Sequence, residues 1–257
     1  MENGKSSKKI TKIVDDTASP RIDSSDGTWK PTAESKSKAT TFRIIAVLGW
    51  LVAIGCQVFA YFKLQEVPVN MYWMIGLIVV ALIFAIIGNI LWKKSNRLDP
   101  ASEKNKFKFF VQNQLGMIIS VLAFLPMVIL IFTNKNLSGK QKGILGSVAI
   151  AALAAAGLTG TEFNPASVEQ YTEQTKQVEL LNDGVNSVYW TPSGKSYHLY
   201  QDCGYINGKR TNEIFEGTVA KARELKKITD LCDRCHNKAK KAKALDVGTE
   251  LKKTGSD

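Results

Sequence analysis

The chain has 257 residues, of which 45% are hydrophobic, and its 34 basic and 23 acidic residues give a net charge of +11. Its mean hydropathy of -0.07 resembles that of a soluble protein, but this value averages an apolar middle with two polar ends. The excess charge flanks the apolar middle, because residues 161–257 carry 15 basic and 14 acidic side chains. A nucleic-acid-binding domain usually carries its positive charge on the binding surface, so this distribution disfavours that class.

The N-terminal segment is polar. Residues 1–40 are rich in Ser, Thr, Lys and Asp and contain only scattered apolar residues. Such a composition does not bury enough apolar surface to offset the conformational entropy lost on folding. The sequence therefore predicts that residues 1–40 form a disordered tail.

Four apolar runs follow within residues 41–160, at 44–62, 71–92, 115–132 and 144–158. The first three are each long enough to cross a hydrocarbon core of about 30 Å as a helix. The fourth is shorter and rich in Ala and Gly, but small residues favour close packing between membrane helices. None of the runs contains Asp, Glu, Lys, Arg or His, which disfavours ion pumps and proton-coupled carriers. The sequence predicts a four-helix transmembrane region.

The distribution of basic residues predicts the orientation of these spans. The connection 93–114 contains six basic residues, whereas the connection 63–70 contains one lysine. Basic loops stay in the cytoplasm, so we expect a multi-pass protein of the cell membrane with a cytoplasmic N-terminus. Four spans then return the C-terminal module to the cytoplasm. Lys135, Lys140 and Lys142, which precede the fourth run, favour the opposite side for its C-terminal end.

The C-terminal part is predicted to contain a linker helix at 161–186, a compact module at 187–245 and a flexible tail at 246–257. The linker helix is indicated by near-helical spacing of its less polar residues, from Val168 to Leu181. In the module, two aromatic runs flank a Pro192-Ser193-Gly194 turn, which indicates a β-hairpin. The predicted fold class is an α-helical membrane protein followed by a small α+β module built from a β-hairpin and helices.

Four residues of the module have the spacing of a metal site. His198 and Cys203 lie five positions apart, and Cys232 and Cys235 form a Cys-x-x-Cys pair. Three thiolates and one imidazole complete a tetrahedral zinc shell, whereas three thiols cannot pair evenly as disulfides. Cys56 stands alone in an apolar run, where a cysteine is usually a buried hydrophobe. The sequence predicts one structural Zn²⁺, which would supply much of the folding energy of so small a module.

Other interpretations of the same residues are weaker. Cys232 to His236 also match the haem c attachment pattern, C-x-x-C-H, but covalent haem would need a second axial ligand and would leave Cys203 without a role. A thioredoxin-like redox pair is disfavoured because no βαβ pattern surrounds the cysteines.

The module resembles the Ada metal-binding domain over residues 187–236. The resemblance lies in Tyr197-His198, in Cys203 with the Gly204-Tyr205 that follows, and in the Cys232–Cys235 pair. It implies a zinc-binding fold. In the Ada repair protein the first zinc ligand is a cysteine that accepts an alkyl group, and here that position is His198. Neutral imidazole cannot replace the thiolate as acceptor, so the resemblance implies the fold without the alkyl-transfer activity.

Three functional hypotheses remain open. The first is a non-catalytic, membrane-anchored zinc module that binds another protein, for which a filled shell and aromatic residues such as Tyr189, Trp190, Tyr200 and Tyr205 provide the motivation. The second is a sensor in which oxidation or alkylation of the zinc thiolates releases the metal. The third, which is disfavoured, is nucleic-acid binding through Lys238, Lys240, Lys241 and Lys243. A filled four-ligand shell leaves no position for an activated water, so we expect no hydrolytic enzyme.

Overall fold

The protein is described by a computed structural model covering residues 9–13 and 27–243. The chain divides into two compact units. One unit is Ala33–Ser167, and the other combines Met1–Thr32 with Val168–Asp257. The flexible tail predicted at 246–257 lies outside the described residues.

The first unit contains four long helices, α1 (Ala33–Leu64), α2 (Met71–Leu98), α3 (Lys106–Thr133) and α4 (Gly139–Gly160). All four are long and apolar enough to cross a membrane, which confirms the predicted number. Each extends beyond its apolar run at one or both ends, because polar side chains continue the helix where water and headgroups solvate them. In α4 the added turn begins with a capping box between Ser138 and Gln141.

One buried amide joins all four helices. Asn89 on α2 is fully buried, and its Oδ1 accepts a hydrogen bond from Nε1 of Trp50 on α1 at 3.0 Å. Its Nδ2 lies 3.1 Å from the Ser120 hydroxyl on α3 and 2.9 Å from the Ala156 carbonyl on α4. Polar side chains within a membrane bundle stabilise helix contacts when partners satisfy them. The Asn89 amide therefore links all four helices of the unit.

Glycines allow α3 and α4 to approach closely beside this amide. A Cβ added at Gly160 would lie 2.5 Å from the backbone of Gly116, and one at Gly116 would lie 2.8 Å from Oδ1 of Asn89. Any larger residue would push the helices apart. Within the fourth run, a Cβ added at Gly146 would collide with the ring of Phe132, so this small residue has the packing role that the sequence predicted.

The second unit is a small α+β module. Its helices are α5 (Val168–Leu181), α6 (Val219–Lys226) and α7 (Asp233–Lys243). Its strands are β1 (Lys9–Lys12), β2 (Val188–Trp190), β3 (Ser196–Tyr197), β4 (Glu213–Gly217) and β5 (Asp230–Leu231). One sheet has the order β1-β4-β2 and the other pairs β3 with β5 in parallel.

The predicted disordered tail is wrong for the part of residues 1–40 that the structure describes. Residues 9–12 form β1 parallel to β4, and α1 already begins at Ala33. Trp29 is 1% exposed and packs edge-on against Tyr171 at 4.6 Å between ring centroids. Composition alone missed these elements because their partners lie about 140 to 200 positions further along the chain. For residues 1–8 and 14–26 the prediction lies outside the described residues.

Two further predictions about the module need correction. The helix at 161–186 is present as α5, but it is part of the module because Val178 and Leu181 lie in its buried core. The predicted hairpin is reduced to one antiparallel bridge between Tyr189 and His198, since β2 and β3 belong to different sheets. Long-range pairing with β4 and β5 replaces the local hairpin ladder.

The role of Asn89 can be tested by comparison with a second buried amide. Gln57 on α1 is 7% exposed, and neither atom of its amide has a hydrogen-bond partner in the described part of the chain. We expect Asn89→Ala to lower the free energy of unfolding in detergent by about 1–3 kcal/mol, because it leaves several buried groups unpaired. Gln57→Ala should lower the free energy of unfolding by less, although it removes more atoms, because the Gln57 amide has no partner to lose among the described residues. Equal losses in reversible unfolding experiments would contradict the assigned role.

Candidate metal centre

The four residues singled out in the sequence converge in the core of the module. His198, Cys203, Cys232 and Cys235 are all buried, and one ligand atom from each lies within 4.8 Å of those of the others. The three cysteines belong to the same buried cluster as Trp190 and Tyr197. A group of this kind can hold a metal ion. The three cysteines are free thiols, so their sulfur atoms are available as metal ligands.

His198 is positioned by strand pairing. It directly follows β3, and its N–H and C=O both bond to Tyr189 at 2.7 Å. This bridge fixes the backbone and turns the ring towards the interior, where His198 is 4% exposed. Its Nδ1 lies 3.7 Å from Sγ of Cys235, so Nδ1 faces the thiols.

Cys232 and Cys235 are positioned by the start of α7. The N–H of Cys232 donates to the carbonyl of Tyr197 at 2.9 Å, and its own carbonyl accepts from the N–H of His236 at 2.9 Å. Cys232 therefore lies between β5 and α7, with Cys235 in the first turn of the helix. The positive end of a helix dipole stabilises thiolates, which is the charge state that metal binding requires.

Cys203 reaches the group from a turn after β3. Its N–H donates to the carbonyl of Tyr200, and its carbonyl accepts from the N–H groups of Ile206 at 3.0 Å and Asn207 at 2.8 Å. Ile206 is buried beside it. The turn is thus held both by backbone hydrogen bonds and by packing.

The separations fit a tetrahedral ion. With Zn–S of about 2.3 Å and Zn–N of about 2.0–2.1 Å, tetrahedral ligands lie about 3.6–3.8 Å apart. The 3.7 Å between Nδ1 of His198 and Sγ of Cys235 is close to this value. The ligand atoms all lie within 4.8 Å of one another, so the widest pair must approach by up to about 1 Å to hold one ion. His236, the histidine of the haem-like pattern, is not a member of the group.

The protonation states of the ligands follow from burial. Burial raises the pKa of the Cys235 thiol to about 12, although hydrogen bonds with the backbone of Tyr200 and Leu199 oppose the rise. Burial also lowers the pKa of His198, so its imidazole is neutral at pH 7. The fold therefore supplies a neutral imidazole ready to bind, whereas the Cys235 thiol must lose its proton to the solvent when a metal enters.

A cleft of about 360 Å³ borders the group. His198 and Cys232 contribute to its wall, together with Tyr205 and with residues to which the sequence analysis gave no role: Lys195, Ser196, Asp230, Asp233 and Arg234. The wall comes from three separate segments that only the fold brings together. The cleft gives small solutes a path to the side of Cys232.

The aromatic residues of the module have different roles. Trp190 is fully buried, and Tyr189 and Tyr200 are partly buried against the same core. Tyr205 is 73% exposed at the rim of the cleft. Three of the four aromatic residues considered for a binding surface therefore contribute to the core, and Tyr205 remains as an exposed ring.

Comparison of the chain with protein families, with curated proteins and with solved structures gives no match. The resemblance to the Ada domain therefore depends on the motif in the sequence alone and remains a prediction.

Proposed function

We propose that this protein is a non-catalytic, membrane-anchored zinc-binding protein whose C-terminal module binds another protein. The observation that carries the proposal is the meeting of three buried thiols and one buried imidazole, whose ligand atoms lie within 4.8 Å of one another. Of the common metals, Zn²⁺ best fits a four-coordinate site of three sulfurs and one nitrogen. Four protein ligands fill its shell and favour a structural role over hydrolysis.

The ligand set also supports the Ada-like fold without Ada chemistry. His198 takes the place at which the Ada domain has its acceptor cysteine, and its ring nitrogen faces Cys235. A zinc-bound imidazole has no thiolate electron pair to offer to an alkyl group. We therefore propose that the domain serves as a scaffold whose fold is stabilised by a structural zinc ion.

A protein partner fits the charge of the module better than nucleic acid does. Of the four lysines of α7 considered for nucleic acid, Lys243 lies 2.6 Å from Asp183, and Lys238 lies over the Tyr200 ring at 4.1 Å and 3.8 Å from Asp202. These two lysines are held within the module. A groove for phosphates would instead present several unengaged cations in a row.

Metal content tests the proposal directly. The purified full chain should contain about one zinc ion, and Cys232→Ser should lose most of it because the shell is no longer complete. Cys56→Ser is the matched control, since Cys56 lies in α1 and outside the metal group. Elemental analysis of the three proteins measures this. A wild-type chain that is folded and free of metal would refute the proposal.

A thiol sensor is the second candidate, because the cleft reaches Cys232. In that case peroxide would oxidise the zinc-bound thiolates and release the metal. A structural site should keep its zinc at low peroxide concentrations. We expect retention in the Cys56→Ser protein, in which the only remaining cysteines are the ligands, as followed with a chromogenic zinc chelator. Rapid stoichiometric release would favour the sensor.

We also propose that the module lies in the cytoplasm. β1 precedes the helical bundle in the chain and β4 follows it, yet both strands belong to one sheet. This pairing supports an even number of crossings, with both ends of the bundle on one side. The connection 93–114 follows two crossings, and its many basic residues favour the cytoplasm for that side.

Cysteine labelling in intact cells tests this sidedness. With Cys56 replaced by Ser, Ser193→Cys in the module should react with an impermeant maleimide only after lysis. Gln65→Cys, in the connection predicted to lie outside, should react in intact cells. Labelling of Ser193→Cys in intact cells would reverse the assignment.

A further inference from the structure

One edge strand of the three-stranded sheet, β1, comes from a segment that is distant in sequence from the other two strands. β4 has β2 antiparallel on one side and β1 parallel on the other, with Lys9 beside Glu213 and Lys12 beside Glu216. The pairing continues past the strand, because the N–H of Ile13 donates to the carbonyl of Glu216 at 2.8 Å. Without β1, β4 would be an edge strand with free N–H and C=O groups, which is a surface that binds peptides by strand addition.

Charge complementarity favours this one register. Nζ of Lys9 lies 3.6 Å from Oε1 of Glu213, and Nζ of Lys12 lies 3.7 Å from Oε2 of Glu216. The Thr11 hydroxyl donates to Oε1 of Glu213 at 2.6 Å. The two lysine side chains are 77% and 70% exposed, so solvent screens each ion pair and its contribution to affinity is small. The charges select direction and register, whereas the main-chain hydrogen bonds supply most of the affinity.

The core of the module is complete without β1. No residue of β1 is buried, and Ile10 is 40% exposed. Ile13, just after the strand, packs only at the margin of the core. By contrast, Trp190 of β2 and Ile214 of β4 are 0% and 1% exposed. The segment can therefore leave β4 without opening the core.

We propose that the edge of β4 is a docking site for an extended, basic segment of another polypeptide, and that Lys9–Ile13 occupies it in cis as a displaceable ligand. The partner segment lies parallel to β4 and carries two basic residues three positions apart, which face Glu213 and Glu216. This inference rests on the proposed function, since it specifies the kind of polypeptide that the zinc-binding module would bind.

The test uses a fluorescent peptide with the sequence of residues 7–15 and two forms of the protein in detergent, the full chain and a chain that begins at residue 27. Fluorescence anisotropy should show binding to the shortened chain. Binding to the full chain should be weaker by about tenfold or more, because the cis segment competes at a high effective concentration. Full-length Ile13→Pro, which removes the N–H bonded to Glu216, should bind more tightly than the full chain.

A charge exchange provides the matched control. Glu213→Lys with Glu216→Lys in the shortened chain should weaken binding of the natural peptide by about tenfold, and a peptide with Lys9→Glu and Lys12→Glu should restore the affinity. Absence of binding to the shortened chain, or equal binding to both chains, would overturn the inference. The inference would also be overturned if the full chain formed a dimer that the shortened chain did not form, because β1 would then pair with β4 of a second copy. Zinc content is measured on the same samples. The proposed function predicts bound zinc in all of these proteins, so loss of peptide binding with zinc still present would contradict only the docking site.

Discussion

Four side chains that could hold a metal ion meet in the interior of the module from separate chain segments. His198 arrives at the end of β3, Cys203 in the following turn, and Cys232 and Cys235 at the start of α7. Each is fixed by backbone hydrogen bonds, and the cysteines are part of the apolar core. A core of this size is marginal for independent folding. A metal joining these segments would constrain the unfolded chain and add binding energy to folding.

The membrane unit meets a different constraint, which is that buried polar groups have no water with which to bond. Asn89 meets it by sharing its amide among α1, α3 and α4. Gly116 and Gly160 make the necessary close approach possible. Arg43 on α1 makes a comparable link at the end of the bundle, where it donates to the Asp99 carboxylate at 2.7 Å and to the Asp99 carbonyl at 2.9 Å. A small number of specific polar contacts thus define how largely apolar helices pack.

The module is built from two parts of the chain that are separated by the four long helices. The polypeptide contributes β1 to the module before it forms the bundle, and it contributes the other strands afterwards. A segment that composition describes as solvated is therefore part of a sheet. The same arrangement gives the module an edge whose occupant is held by main-chain bonds and exposed ion pairs, with little buried apolar surface.

Local sequence pattern is enough to predict two features of this protein. Apolar length predicted the four membrane helices, and the spacing of one histidine and three cysteines predicted the metal group. Both signals are local because a helix satisfies its own backbone and because a Cys-x-x-Cys pair forms within one turn. Four other features follow from tertiary contacts: the pairing of the strands, the membership of α5 in the module, the burial of Trp190 with the exposure of Tyr205, and the completion of the sheet by Lys9–Lys12. These outcomes depend on contacts between distant segments, for which neither composition nor periodicity carries a signal.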